Sequence, residues 1–145
     1  MRYRIVIGDG RTTEELIAAG DYGHAHSCVT SENFPAGRFG AARPRSIVLL
    51  AFDRDVTAAD VLHEAARRGL ERPTYEDALQ FGAAHPDVQS RGPVVFLHEP
   101  WVGFFGRRDV LSLWCNAGRR ELGLEGFDDQ LRRECRFAFI DGQSP

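Results

Sequence analysis

Three groups of side chains in this sequence are of types that do chemistry. The first is His24-Ala25-His26-Ser27-Cys28. On an extended strand, alternate positions share a face, so His24, His26 and Cys28 would present two imidazole nitrogens and a thiolate together. Zinc and copper accept that donor set. A structural zinc site needs a fourth ligand, for which His63, His98 and Glu32 are available. The competing reading is two loop histidines beside an idle thiol. No cofactor is assigned beyond the zinc that this donor set could hold. The second group is Trp101-Val102-Gly103-Phe104-Phe105-Gly106-Arg107-Arg108-Asp109. Gly103 and Gly106 break regular structure there. If exposed, Trp101, Phe104, Phe105, Arg107 and Arg108 have the composition of a binding hot spot. Alternatively the aromatic rings fold back over one end of a sheet. The third group is Arg72, Arg120 and Arg136, which could form a small-anion pocket, because arginine grips carboxylate or phosphate through two parallel hydrogen bonds. Structural ion pairs with Glu76, Asp109 and Glu121 are the other use for clustered arginines.

Much chemistry is excluded. All 18 basic residues are arginine, against 21 acidic ones. Without lysine there is no phosphate-loop lysine, Schiff-base lysine or kinase-type ATP lysine. No histidine stands at a family-type spacing from Cys115. Gly8-Asp9-Gly10 lacks the remainder of a dinucleotide fingerprint. Asp128-Asp129 with Glu125 reads as a solvated acidic turn or, less simply, a calcium loop. No catalytic residue is assigned. The formal charge of −3 argues against whole-molecule attraction to nucleic acid or anionic lipid.

These groups need a scaffold, and the 145 residues fit one compact domain. The composition is 43% hydrophobic with ten phenylalanines, enough for a core. The N-terminal apolar run is too short for a signal peptide, and no stretch approaches the roughly 20 residues of a membrane span. Three cysteines without CxxC spacing do not make a disulfide framework. Together these point to the cytoplasm.

Tyr3 to Ile7 reads as a strand. Thr12 and Glu15 form a capping box for a helix from Thr13 to Ala19. Residues 21–45 form a long irregular loop. Ser46 to Phe52 is a continuous apolar run, a strand buried on both faces. Thr57 caps a helix from Ala58 to Arg68, and Gly69 follows it. Thr74 caps another helix, with Asp77 at its third position, and His85-Pro86 ends it. Strands follow at Pro93 to Leu97, Val110 to Trp114, Arg119 to Leu124 and Cys135 to Ile140, with a hairpin turn at Asn116-Ala117-Gly118. Residues 141–145 are expected to be a disordered tail. The order predicts an α+β domain, with early helices and then an antiparallel β-region.

The stretch Gly69-Leu70-Glu71-Arg72-Pro73-Thr74-Tyr75-Glu76-Asp77-Ala78-Leu79, with Cys135-Arg136-Phe137 near the end, resembles a family of small bacterial proteins. Thr12 to Tyr22, Pro86 to Gln89, Pro93 to Leu97 and Arg120 to Leu124 carry the same likeness, which spans most of the chain. That family has no established activity. More distantly, the Arg-Pro-Thr helix start and the late Arg-Phe strand resemble C-type-lectin-like domains of the formylglycine-generating-enzyme type. There a capped helix precedes a β-region that presents loops. The resemblance implies that fold and no particular ligand.

The reading that follows is a small cytosolic, non-catalytic binding module that engages a protein partner, or a second copy of itself, through the 101–108 loop. The alternative is a small-anion-binding protein or enzyme that uses the clustered arginines.

Overall fold

The computed structural model describes residues 1–37 and 41–142 and, apart from the side chain of Phe104, the side chains within them. Strand β1 is Arg2–Ile7, followed by α1 (Thr13–Gly20), β2 (His24–Ala25), β3 (Arg43–Ala51), α2 (Ala58–Arg67) and α3 (Tyr75–Ala84). After a short 3-10 turn come β4 (Val94–Val95), β5 (Trp101–Val102), β6 (Arg108–Asn116), β7 (Arg119–Gly126) and β8 (Arg136–Ile140). The expected α+β class is the observed one: the described residues form three helices and one eight-stranded sheet ordered β1-β3-β8-β4-β6-β7-β2, with β5 pairing on β6.

All three helices begin with the same device. Thr12, Thr57 and Thr74 each accept a hydrogen bond from the backbone N–H three residues on, and the acid there (Glu15, Asp60 or Asp77) accepts from the cap N–H. Each box satisfies donors that a helix start leaves orphaned. Gly69, at φ +73°, turns the chain out of α2 in a conformation that side-chain-bearing residues avoid.

The sheet separates two apolar cores. On one face, Ile5, Ile47, Leu111, Leu113 and Leu122 pack with Leu16 of α1 and Leu79 and Phe81 of α3. On the other, Leu50, Val95, Val110, Phe137 and Phe139 pack with Val61 and Ala65 of α2. In β8 the alternation is strict: Phe137 and Phe139 face α2, while Ala138 and Ile140 face α3. β3 is apolar on both sides because it lies between β1 and β8 with a core on each face.

The sheet is mixed rather than purely antiparallel. β2 runs parallel to β7, and β4 runs parallel to β8. The β6–β7 hairpin is the expected one, closed by Asn116↔Arg119 around Ala117 (φ +52°) and Gly118 (φ +82°). The strand expected over Pro93 to Leu97 is only two residues of ladder. Beyond Val95, Phe96 N–H still donates to Leu111 O at 3.0 Å, but Leu111 N–H donates to the His98 ring rather than to backbone.

Within the expected 21–45 loop, β2 and the start of β3 are regular, and Phe34 is 1% exposed. Residues 38–40 of that loop lie outside the described residues. At the expected tail, Asp141 N–H donates to Ser46 O at 2.9 Å and its carboxylate pairs with Arg2 at 2.6 Å. Residues 143–145 lie outside the described residues.

Candidate functional site

The loop between β5 and β6 is a tight reversal. Trp101 pairs with Asp109 and Val102 with Arg108, which brings the chain back on itself. Inside it, Gly103 N–H donates to Arg107 O at 3.1 Å and Gly106 N–H donates to Gly103 O at 3.3 Å. The reversal needs two consecutive left-handed residues, Phe105 at φ +69° and Gly106 at φ +73°. Gly106 adopts this without strain; Phe105 does not.

The loop's side chains divide into anchored and free. Trp101 packs against Phe34, ring centroids 5.5 Å apart, and Phe34 also meets Tyr75 edge-on at 5.6 Å. Arg107 Nε donates to Asp109 at 2.7 Å, and Asp109 is 6% exposed. Arg108 Nε donates to Asp128 at 3.0 Å, and its guanidinium lies 4.9 Å over the Phe127 ring. The Arg108 hydrogen bond holds the exposed Asp128 carboxyl below its ordinary pKa. Phe105, by contrast, is fully exposed at 106% and Val102 is 59% exposed. The expectation that this loop is either surface or cover resolves residue by residue: Trp101 covers the core and Phe105 faces solvent. The Phe104 side chain lies outside the described atoms.

The expected His24–Cys28 strand is corrected. β2 ends at Ala25, and the chain turns so that Cys28 N–H donates to His26 Nδ1 at 3.1 Å. His24 stays on the strand opposite Glu121, so the three side chains do not share one extended face. Among the described residues, no three His, Cys, Asp or Glu side chains come together as a metal site.

What the turn does instead is build a wall. His26 and Cys28 line a groove of about 330 Å³ with Trp101, Gly103, Arg107, Asp109 and Leu124. Two motifs far apart in sequence thus meet at one place. β2 sits there because it adds to the edge of β7, with His26 N–H donating to Leu122 O at 2.8 Å and Gly23 N–H to Arg120 O at 2.8 Å.

The proposed anion trio does not form a pocket; each arginine latches backbone carbonyls in its own place. Arg72 donates to Leu97 O at 2.6 Å and His98 O at 3.1 Å, and pairs with Glu99 at 2.9 Å. Arg120 bonds Gly20 O, Gly82 O at 2.8 Å and Gln89 Oε1 at 2.9 Å, lying 4.7 Å over the Tyr22 ring. Arg136 donates to Val88 O at 2.7 Å and Gly92 O at 2.6 Å. Gly20 and Gly82 lie in the last turns of α1 and α3, Val88 starts the short 3-10 turn and Gly92 caps it, and Leu97 and His98 follow β4; a guanidinium with five donors satisfies several such carbonyls at once.

Residues that sequence reasoning missed include Leu124 and Phe34. Leu124 is a member of an ordinary strand pattern. Phe34 lies in the irregular segment, where no period signals burial. Comparison of the chain with models of known families, with curated proteins and with solved structures finds no match.

Proposed function

We propose that this chain is a small cytosolic, non-catalytic binding module that engages another protein through the 101–108 loop and the groove beneath it. The observation that carries this reading is Phe105. Its backbone is held in a left-handed conformation, which costs a non-glycine residue about 1–3 kcal/mol, and its ring is left wholly in water. Burying a phenylalanine is worth roughly 1.5–3 kcal/mol, so the exposed ring leaves that gain for a partner to collect.

The chemistry of the occupant follows from the charges. Arg107 and Arg108 are already neutralised by Asp109, Asp128 and Asp129. The loop therefore offers an apolar knob on an ion-paired base, and not a cationic patch. Its complement is an apolar socket on a folded protein, with polar groups at the rim. Val102, also exposed, belongs to the same loop, and Trp101 with Leu124 offers a shallow recess to a partner side chain.

Affinity capture with wild type and with Phe105→Ala tests the reading. A partner retained by wild type and lost with Phe105→Ala, at unchanged melting temperature, supports it. Sedimentation velocity on both proteins separates a foreign partner from a second copy of the chain. Identical capture by the two proteins, or a melting temperature that falls with Phe105→Ala, overturns it.

A further inference from the structure

The sheet face turned towards α2 is not covered along its whole length. In β6, Val110 joins the core beside Val61 of α2, whereas Trp114, further along the same face, is 36% exposed. In β7, Leu122 and Arg120 point to the α3 side, which leaves Arg119, Glu121, Gly123 and Glu125 on the face of Trp114. The indole is seated where Gly123 has no side chain: a Cβ there would stand 3.1 Å from Trp114 Nε1. Among the described residues, no other aromatic ring and no guanidinium packs on this indole.

Glu121 stands directly opposite Trp114 in the β6–β7 ladder, which puts their Cβ atoms about 5 Å apart. The other charged groups of this face are engaged elsewhere. Arg119 donates to Gly23 O, and Glu125 lies in the field of Arg107, Arg132 and Asp129. His24, next to Glu121 on β2, makes no ion pair with it. Among the described residues, the Glu121 carboxylate has neither hydrogen bond nor ion pair. An open indole and an unpaired carboxylate at this spacing are the two halves of a cation site: the ring attracts through its negative face and the carboxylate through its charge.

We propose that Trp114 and Glu121 bind an alkylammonium group, the head of a lysine side chain or of a free amine. The ammonium donates to Glu121 and its alkyl chain lies along the indole. A guanidinium fits the observations less well, because Arg119 shares this face with Glu121 and still bonds Gly23 O instead. The chain has no lysine, so the only ammonium in a second copy is its N-terminus, and the group comes from another molecule. This site lies on the opposite face of the sheet from the core that Trp101 covers, and is separate from the 101–108 loop.

The test is a ¹H–¹⁵N NMR titration of the full chain with n-butylammonium chloride and, separately, with Nα-acetyl-lysine methylamide. Sodium chloride at equal ionic strength is the blank. Trp101 and Trp114 are the two tryptophans, so the Trp101 indole signal is an internal control. Expected is a saturable shift of Trp114 Nε1–H with no saturable shift of Trp101 Nε1–H. Saturation with the lysine derivative assigns the group to a protein side chain; saturation with n-butylammonium alone assigns it to a free amine. Glu121→Gln should weaken binding about fivefold, and Trp114→Leu, followed at the Gly123 amide, by a similar factor. Unchanged amide spectra elsewhere will show that both variants fold. Linear shifts without saturation, equal shifts with sodium chloride, equal movement of the Trp101 signal, or unaltered binding by Glu121→Gln would overturn the proposal. So would tighter binding of n-butylguanidinium than of n-butylammonium.

Discussion

Asp77 meets Arg45 at 3.0 Å with its carboxylate fully buried, while also closing the capping box of α3 through Thr74 N–H at 2.7 Å. One side chain therefore starts a helix and ties it to β3. The two duties are separable by mutation. Asp77→Ala leaves the Arg45 guanidinium, 14% exposed, without its counter-charge and removes the cap. The expected loss is about 3–5 kcal/mol, as for other broken buried pairs. Thr74→Ala removes only the hydroxyl arm of the cap and should cost about 1 kcal/mol. Urea unfolding of the two variants checks the ratio; equal losses would mean that the ion pair contributes nothing beyond capping.

Trp101 and Phe105 are expected to behave as opposites although they share one loop. Trp101 stacks on buried Phe34, so Trp101→Ala should destabilise the fold by about 2–4 kcal/mol. Phe105→Ala removes no contact with the core and relieves nothing in the backbone, so its effect should stay within about 0.5 kcal/mol. Phe105→Gly should stabilise by about 1 kcal/mol, because glycine takes φ +69° without penalty. Thermal melts of the three variants test this directly. A stability loss for Phe105→Ala comparable to that of Trp101→Ala would place the ring in the core.

The hairpin turn offers a milder test. Ala117 occupies a left-handed position, φ +52°, at the first turn residue of a two-residue loop, with Gly118 following. Asparagine tolerates this conformation far better than alanine, and Asn-Gly is the preferred pair there. Ala117→Asn should add about 0.5–1 kcal/mol, raising the melting temperature by a few degrees. No change would mean that the hairpin is not formed cooperatively with the rest of the sheet.

What was legible in the sequence follows the range of the interaction. Thr12, Thr57 and Thr74 mark helix starts because a cap and its partner lie three residues apart. The Asn116–Gly118 turn was legible for the same reason. The late strands were visible through alternation, as at Phe137 and Phe139. The groove was not, because His26 and Cys28 reach Trp101 only after β2 pairs in parallel with β7, a contact that no local pattern encodes. The arginine assignments failed similarly. Arg120 reaches from β7 to the carbonyl of Gly20, and backbone carbonyls leave no mark in a sequence, whereas the carboxylates that suggested ion pairs do. Phe34 lay in a stretch with no period, so its burial under Trp101 was unreadable.

His98 sets a pH dependence that can be isolated. The ring is 1% exposed; Nε2 accepts from Leu111 N–H at 3.0 Å, so Nδ1 carries the proton and donates to Glu99 O at 2.7 Å. Both nitrogens are occupied only in the neutral form. Burial foremost, with Arg72 nearby, pushes its pKa from 6.5 down to about 4. Below pH 6.5 the unfolded chain takes up a proton that the folded chain refuses, so stability falls as pH drops from about 6.5 towards 4. From the two pKa values, the loss between neutral pH and pH 5 should be about 2 kcal/mol. The carboxyls held low by hydrogen bonds, such as Asp9 and Asp60, lose their contribution only further into the acid range. Urea unfolding at pH 7 and pH 5 should therefore show the loss in wild type. In His98→Gln it should be nearly absent, on a baseline lowered by the imperfect replacement of the Leu111 bond. An equal slope in both proteins would show that His98 is protonated in the native state at pH 5, and that Leu111 N–H does not depend on its ring.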